Sequence, residues 1–195
     1  MINSRETVKA NDKSRVFAIT GTPGVGKTSV AEMLRSRGYT VYSFNELAKK
    51  LDCIIDYEDE CAVVDLEKLN TMLNMMFSPE GTVVVEGHLS HHIADTAIVL
   101  RCNPIQLKER LLKRGWKYEK VMENVEAELI DSILVEALEM CERVYEIDTT
   151  EKSVEEVAKA IISIIEGDIE NEIYKPGNVD WISELEEKID EIIRL

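Results

Sequence analysis

No apolar run in this 195-residue chain approaches the ~18–20 residues needed to cross a bilayer. The longest, residues 82–86 (TVVVE) and 96–100 (TAIVL), are strand-sized. The opening MINSRETVKANDKSR has no apolar stretch, so it does not read as a secretory signal. Residues 1–14 read instead as a slightly basic, disordered tail. The expectation is a soluble, cytoplasmic protein with no membrane partner. Cysteine pairs are also missing. Cys53, Cys61, Cys102 and Cys141 lie far apart with no C-x-x-C, which argues against a disulfide framework or a zinc ribbon and leaves free thiols. Positive charge is short as well: 23 lysines and arginines against 38 aspartates and glutamates give a formal net charge of −15. Such a surface repels phosphate backbones, which disfavours stable duplex nucleic-acid binding and favours basic protein partners. Residues 166–195 alone hold ten acidic and three basic side chains. There is no internal repeat.

What is present is a regular alternation. Strands are expected at 15–20 (RVFAIT), 39–44 (YTVYSF), 82–86, 96–101 and 143–148. Helices are expected at 29–36, 45–51, 65–77, 104–114, 119–141 and 153–165, with an acidic, aperiodic connection at 52–60. Leu66, Leu69, Leu73 and Met76 carry the helical spacing of the third helix. Pro104 suits a first helical position. Apolar strands alternating with helices imply an α/β domain, a parallel sheet covered on both faces.

Between the first strand and its helix stands Gly21-Thr-Pro-Gly-Val-Gly-Lys27-Thr28, which satisfies G-x-x-x-x-G-K-[ST] in the strand–loop–helix context the motif requires. The glycines let successive backbone N–H groups turn inward around phosphate, and the helix N-terminus adds partial positive charge. Lys27 reaches the β- and γ-phosphates and the Thr28 hydroxyl suits Mg²⁺. This predicts nucleoside triphosphate binding without fixing the reaction.

All three histidines fall in residues 86–92, EGHLSHH, just past the carboxyl end of the strand 82–86. Glu86 is therefore the candidate carboxylate near Mg²⁺, and His88 the candidate to orient a water or a substrate oxygen. A zinc site is the competing reading. No cysteine lies nearby, and His88-x-x-His91 supplies only two ligands. For His91 and His92 a solvated loop is the favoured reading.

Arg110 and Arg114 lie four apart on one face of the helix ending at Gly115, followed by Trp116, Lys117, Tyr118 and Lys120. Arginines at a hinge beside a phosphate loop suit neutralisation of a moving phosphoryl group. Arg114 is favoured for this role, Arg110 is left open, and Trp116 is free to stack on a base or to pack.

With ITGTPGVGKTS, FNELAKK, VVVEGH and ERLLKRGWKYEKVMENVEAEL, the chain resembles the adenylate kinase isoenzyme 6 family, including its archaeal members, over residues 16–165. The resemblance implies a P-loop NTPase fold of the nucleoside monophosphate kinase type, with a five-stranded parallel sheet. The domain would occupy 15–166, with a monophosphate-binding segment at 43–64 and a short lid at 113–123. It implies ATP + AMP ⇌ 2 ADP with broad monophosphate tolerance and ATPase activity, dependent on Mg²⁺. It also implies a role in late maturation of the small ribosomal subunit and its 16S rRNA, with the ribosomal protein uS11 as partner. The alternative is an ATP-gated assembly module in which monophosphate transfer is incidental. The nucleotide contacts carried over fall on Gly24, Gly26, Lys27, Thr28, Ser29, Arg114 and Lys152. Thr28 and Glu86 are the candidates at the metal, Glu86 standing where eukaryotic members carry aspartate and suited either to the Mg²⁺ shell or to positioning water. The catalytic set is Lys27, Arg114, His88 and Glu86. The 43–64 segment has no arginine, so Lys49 is the candidate contact to the monophosphate; a lysine offers a point charge rather than a bidentate fork.

Residues 167–195 form an acidic extension. Trp181, Leu185, Ile189 and Ile192 share one helical face, with Asp180 as N-cap. This stripe either packs on the same chain, the favoured reading, or docks a partner.

Overall fold

A computed structural model describes residues 16–58, 61–77, 81–168, 172–188 and 192. The expected tail at 1–14 lies outside them. The strands are β1 (Val16–Thr20), β2 (Val41–Ser43), β3 (Ile54–Glu58), β4 (Cys61–Val64), β5 (Val83–Glu86), β6 (Thr96–Arg101) and β7 (Arg143–Asp148). The helices are α1 (Lys27–Ser36), α2 (Phe44–Lys50), α3 (Leu66–Met76), α4 (Pro104–Lys113), α5 (Tyr118–Leu129), α6 (Ser132–Met140), α7 (Val154–Glu166) and the short α8 (Trp181–Glu184).

Five strands form a parallel sheet in the order β2-β5-β1-β6-β7. Every residue of β1, β5 and β6 is buried, because helices cover both faces. Alternate residues point to opposite layers. Phe17, Ile19, Ile98 and Leu100 join the cluster built with α1, α4, α5 and α7. Ala18, Ala97 and Val99 meet Leu134 and Ala137 of α6. From β1 the chain passes first to β2 on one side and later to β6 on the other. The crevice at the carboxyl ends of β1 and β5 is thus a switch point, with Ile19 in register with Glu86.

Two expectations are corrected. The connection at 52–60 contains β3, which pairs antiparallel with β4 from Ile54↔Val64 to Glu58↔Cys61. The helix expected at 119–141 is two helices. Asp131 adopts a left-handed conformation (φ 59°) between α5 and α6, while its carboxylate takes a hydrogen bond from Arg101. Asp is one of the few residues to visit that region readily.

The C-terminal stripe is covered by the body of the same chain: Trp181, Leu185 and Ile192 belong to the main core. Asp180 caps α8, accepting from the Ser183 N–H at 3.0 Å. Ile189 lies outside the described residues. Cys53, Cys102 and Cys141 are free thiols. Among the described residues, no helix is long and apolar enough to cross a membrane.

Candidate functional site

The phosphate loop begins where β1 ends. Gly21 (φ 129°) passes so close to β6 that a Cβ there would lie 2.3 Å from the Leu100 carbonyl oxygen. Only glycine fits that approach. The chain then curls back into α1, whose first N–H groups have no intrahelical partner. Lys27, at the first helical position, folds over the loop and donates to the carbonyls of Gly21 (2.6 Å) and Thr22 (3.0 Å). Burial lowers its pKa to about 8, against the opposing pull of Glu86 and Glu128.

Two clefts flank this loop. The larger, about 580 Å³, is lined by Thr28, Glu86, His88, Arg114, Trp116 and Lys120 together with the loop itself. The smaller, about 220 Å³, is lined by Arg110, Arg114, Thr149, Lys152 and Val154. Gly24, Gly26, Ser29 and Arg114 border both.

Glu86, at the end of β5, is buried, and burial raises its pKa while Lys27 opposes the rise. His88 is exposed and lines the larger cleft; partial desolvation, then the charge of Lys27, lowers its pKa and so favours the neutral ring. Arg110 is tied to Gln106 (3.1 Å) and to the Thr150 carbonyl (3.4 Å). Lys152 donates to the Asp148 carbonyl at 2.8 Å. Lys49 is exposed on α2 and lines neither cleft; from that region Ser43 and Asn45 do. His91 corrects the solvated-loop expectation. The chain after β5 tightens into a 3-10 turn, Ser90–Ile93, which leaves His91 1% exposed beneath Thr20, with His92 half-buried against it.

Some residues of the site were given no role from the sequence. Lys120, Asn124 and Ala127 form one face of α5 lining the larger cleft, a legible i, i+4, i+7 spacing. Glu128, one residue further on, is a buried hub. Its Oε2 accepts from the Thr22 hydroxyl of the phosphate loop. Its Oε1 accepts from Arg101 Nε (2.8 Å), the Cys102 N–H (3.1 Å) and Trp181 Nε1 (3.1 Å). Arg101 also donates to Glu146 Oε1 at 2.6 Å. The other oxygen of Glu146 accepts the N–H groups of Gly177, Asn178 and Val179. The C-terminal segment is thereby joined to the phosphate loop through Glu128. No sequence signal connects residues so far apart.

A Thr28 hydroxyl and a Glu86 carboxylate facing one cleft are hard oxygen donors. They fit a small divalent cation that arrives with nucleotide phosphates. Residues 18–131 match the family model described as "AAA domain". The chain is 56% identical over 181 residues to "Putative adenylate kinase" of Archaeoglobus fulgidus, covering 92% of this chain and 98% of that protein. It is 43% identical over 178 residues to the protein of the same name from Methanosarcina barkeri, covering 86% and 97%. Of solved structures, shikimate kinase from Acinetobacter baumannii in complex with shikimate superposes with a TM-score of 0.52 over 81% of this chain and 96% of that one, at 16% identity. That likeness is one of fold alone.

Proposed function

We propose that this chain, which belongs to the AAA-domain family and within it to the archaeal family named "Putative adenylate kinase", is an Mg²⁺-dependent nucleoside monophosphate kinase that also hydrolyses ATP. One observation carries the reading: the phosphate loop is flanked by two clefts that share Arg114. The smaller takes the base and ribose of ATP beside Lys152. The phosphates lie over Gly24, Gly26, Lys27, Thr28 and Ser29, and AMP or another monophosphate occupies the larger cleft. The phosphoryl group crosses at the shared wall.

Transfer to a monophosphate oxygen needs no covalent enzyme intermediate, only alignment and charge neutralisation. Lys27 exchanges its loop carbonyls for β- and γ-phosphate oxygens. Arg114, at the turn leading into α5, spreads its guanidinium over the moving group. When bound, Mg²⁺ at Thr28 and Glu86 supplies further neutralisation of the phosphates. In hydrolysis a water replaces the acceptor, and the neutral His88 ring accepts its hydrogen bond while Glu86 holds the surroundings polar. For Lys49, exposed on α2 outside both clefts, contact with the acceptor phosphate would require α2 to move toward the loop.

The test is a product assay with Mg²⁺-ATP, with and without AMP, scoring ADP against free phosphate, with Lys27→Ala as control. AMP-stimulated ADP without matching phosphate supports the kinase. Phosphate in step with ADP, indifferent to AMP, leaves an ATPase and overturns it.

A second reading, an ATP-gated role with uS11 in small-subunit maturation, is favoured by the net charge of −15, which suits a basic ribosomal protein. Capture of uS11 that does not change with ATP would remove the gating.

A further inference from the structure

Outside the nucleotide clefts, the turn after β5 carries a second group of ligating side chains. His91 and His92 lie in the 3-10 turn, and Glu136 reaches them from α6; one ligand atom from each lies within 4.8 Å of the others. The His91 ring is fixed from behind. Its Nδ1 is 3.0 Å from Thr20 Oγ1, and the Thr20 hydroxyl points at the His88 carbonyl oxygen, 3.1 Å away. With its own hydrogen on that bond, the Thr20 oxygen is an acceptor for the N–H of Nδ1, the tautomer that leaves the lone pair of the neutral ring on Nε2.

That Nε2 is buried and has no hydrogen-bond partner among the described residues. It stands 3.3 Å from Glu136 Oε2, so a lone pair faces a carboxylate oxygen. Two acceptors in such contact repel, and an unsatisfied buried acceptor is costly. The other neutral tautomer would place a hydrogen on Nε2 toward Glu136, but only by turning the Thr20 hydroxyl away from the His88 carbonyl oxygen to donate to Nδ1. A cation shared by both atoms removes the conflict.

We infer that His91 Nε2, His92 and Glu136 form a binding site for a divalent first-row transition metal ion of the zinc type, with water as fourth ligand. Two ligands at zinc bond lengths and a tetrahedral angle stand about 3.4 Å apart. The His91–Glu136 separation of 3.3 Å already matches. His92 and Glu136 are both half-buried, so small side-chain rotations close the third distance and leave a water position open. Two imidazoles select such an ion over Mg²⁺, which prefers oxygen. The Thr20 contact is the outer-shell hydrogen bond that fixes a ligating histidine in its tautomer. A metal there would clamp α6 to the turn that follows Glu86 and His88.

The test uses the untagged full chain, stripped with chelator and kept in millimolar Mg²⁺ so that the nucleotide site does not compete. Co²⁺ is titrated and followed by its visible spectrum, then displaced with Zn²⁺. The expected result is one Co²⁺ per chain with the intense bands of a four-coordinate ion. His92→Ala and Glu136→Gln, at half-buried positions, should each weaken binding by more than about 100-fold with circular dichroism unchanged. No saturable binding, a six-coordinate spectrum, or binding indifferent to both substitutions would overturn the site.

Discussion

Lys27 sits in a balance that nucleotide binding must tip. In the free protein burial brings its pKa to about 8, with the ammonium bonded to two loop carbonyls and the charges of Glu86 and Glu128 opposing the fall. ATP phosphates replace those neutral acceptors with anions and favour the charged form. Below pH 8 the lysine is already protonated, and binding moves no proton through it. Above pH 8 binding must first recharge it, so ATP affinity should fall by up to about tenfold per pH unit, with uptake of up to one proton. Calorimetry at pH 8.5–9 in buffers of different ionisation enthalpy reads that uptake directly, and Lys27→Ala should abolish it. Arg101 makes the complementary case. Its guanidinium is the cation among Glu128, Glu146 and Asp131. Arg101→Met leaves the buried carboxylates of Glu128 and Glu146 without their ion-pair partner and should cost about 3–5 kcal/mol in urea unfolding. Lys27 was legible because its motif is local. Arg101 read only as the last residue of a strand, because its partners arrive from 27 to 45 positions away.

For whole elements the same contrast holds. Strands β1, β5 and β6 were legible as apolar runs. β3 was not, because IIDYE mixes apolar and acidic residues and finds its order only by pairing with β4. The break between α5 and α6 was hidden because apolar spacing continues through it; Asp131 bends there to reach Arg101. The C-terminal segment shows what such long-range ties do. Trp181 is 2% exposed and donates to Glu128, the residue that also holds Thr22 of the phosphate loop. Trp181→Ala should cost about 3–5 kcal/mol of stability by opening a cavity. It should also raise the KM for ATP, because Glu128 loses one of its fixed donors. Trp181→Phe keeps most of the packing and drops the N–H, so its stability loss should be nearer 1 kcal/mol. An unchanged KM in both variants would mean the segment stabilises the fold without steadying the loop.

Across the molecule, the parallel sheet was legible from alternation, but the strand order was not. Order depends on which side of β1 each crossover lands, and no single segment encodes that. Net charge, by contrast, needs no structure. At −15 the surface sets up a long-range field that should speed encounter with a basic protein and slow encounter with nucleic acid. The field acts before contact, so it governs the association rate, whereas short-range contacts govern dissociation. Raising salt from 50 to 500 mM shortens the screening length from about 14 Å to about 4 Å. If the proposed uS11 complex forms and is steered by this field, its association rate should then fall at least about tenfold while dissociation changes little. Surface plasmon resonance or stopped-flow mixing across that range separates the two rates. If association does not respond to salt, the acidic surface has no part in finding this partner, and the charge is better explained as a means of keeping the protein soluble and off RNA.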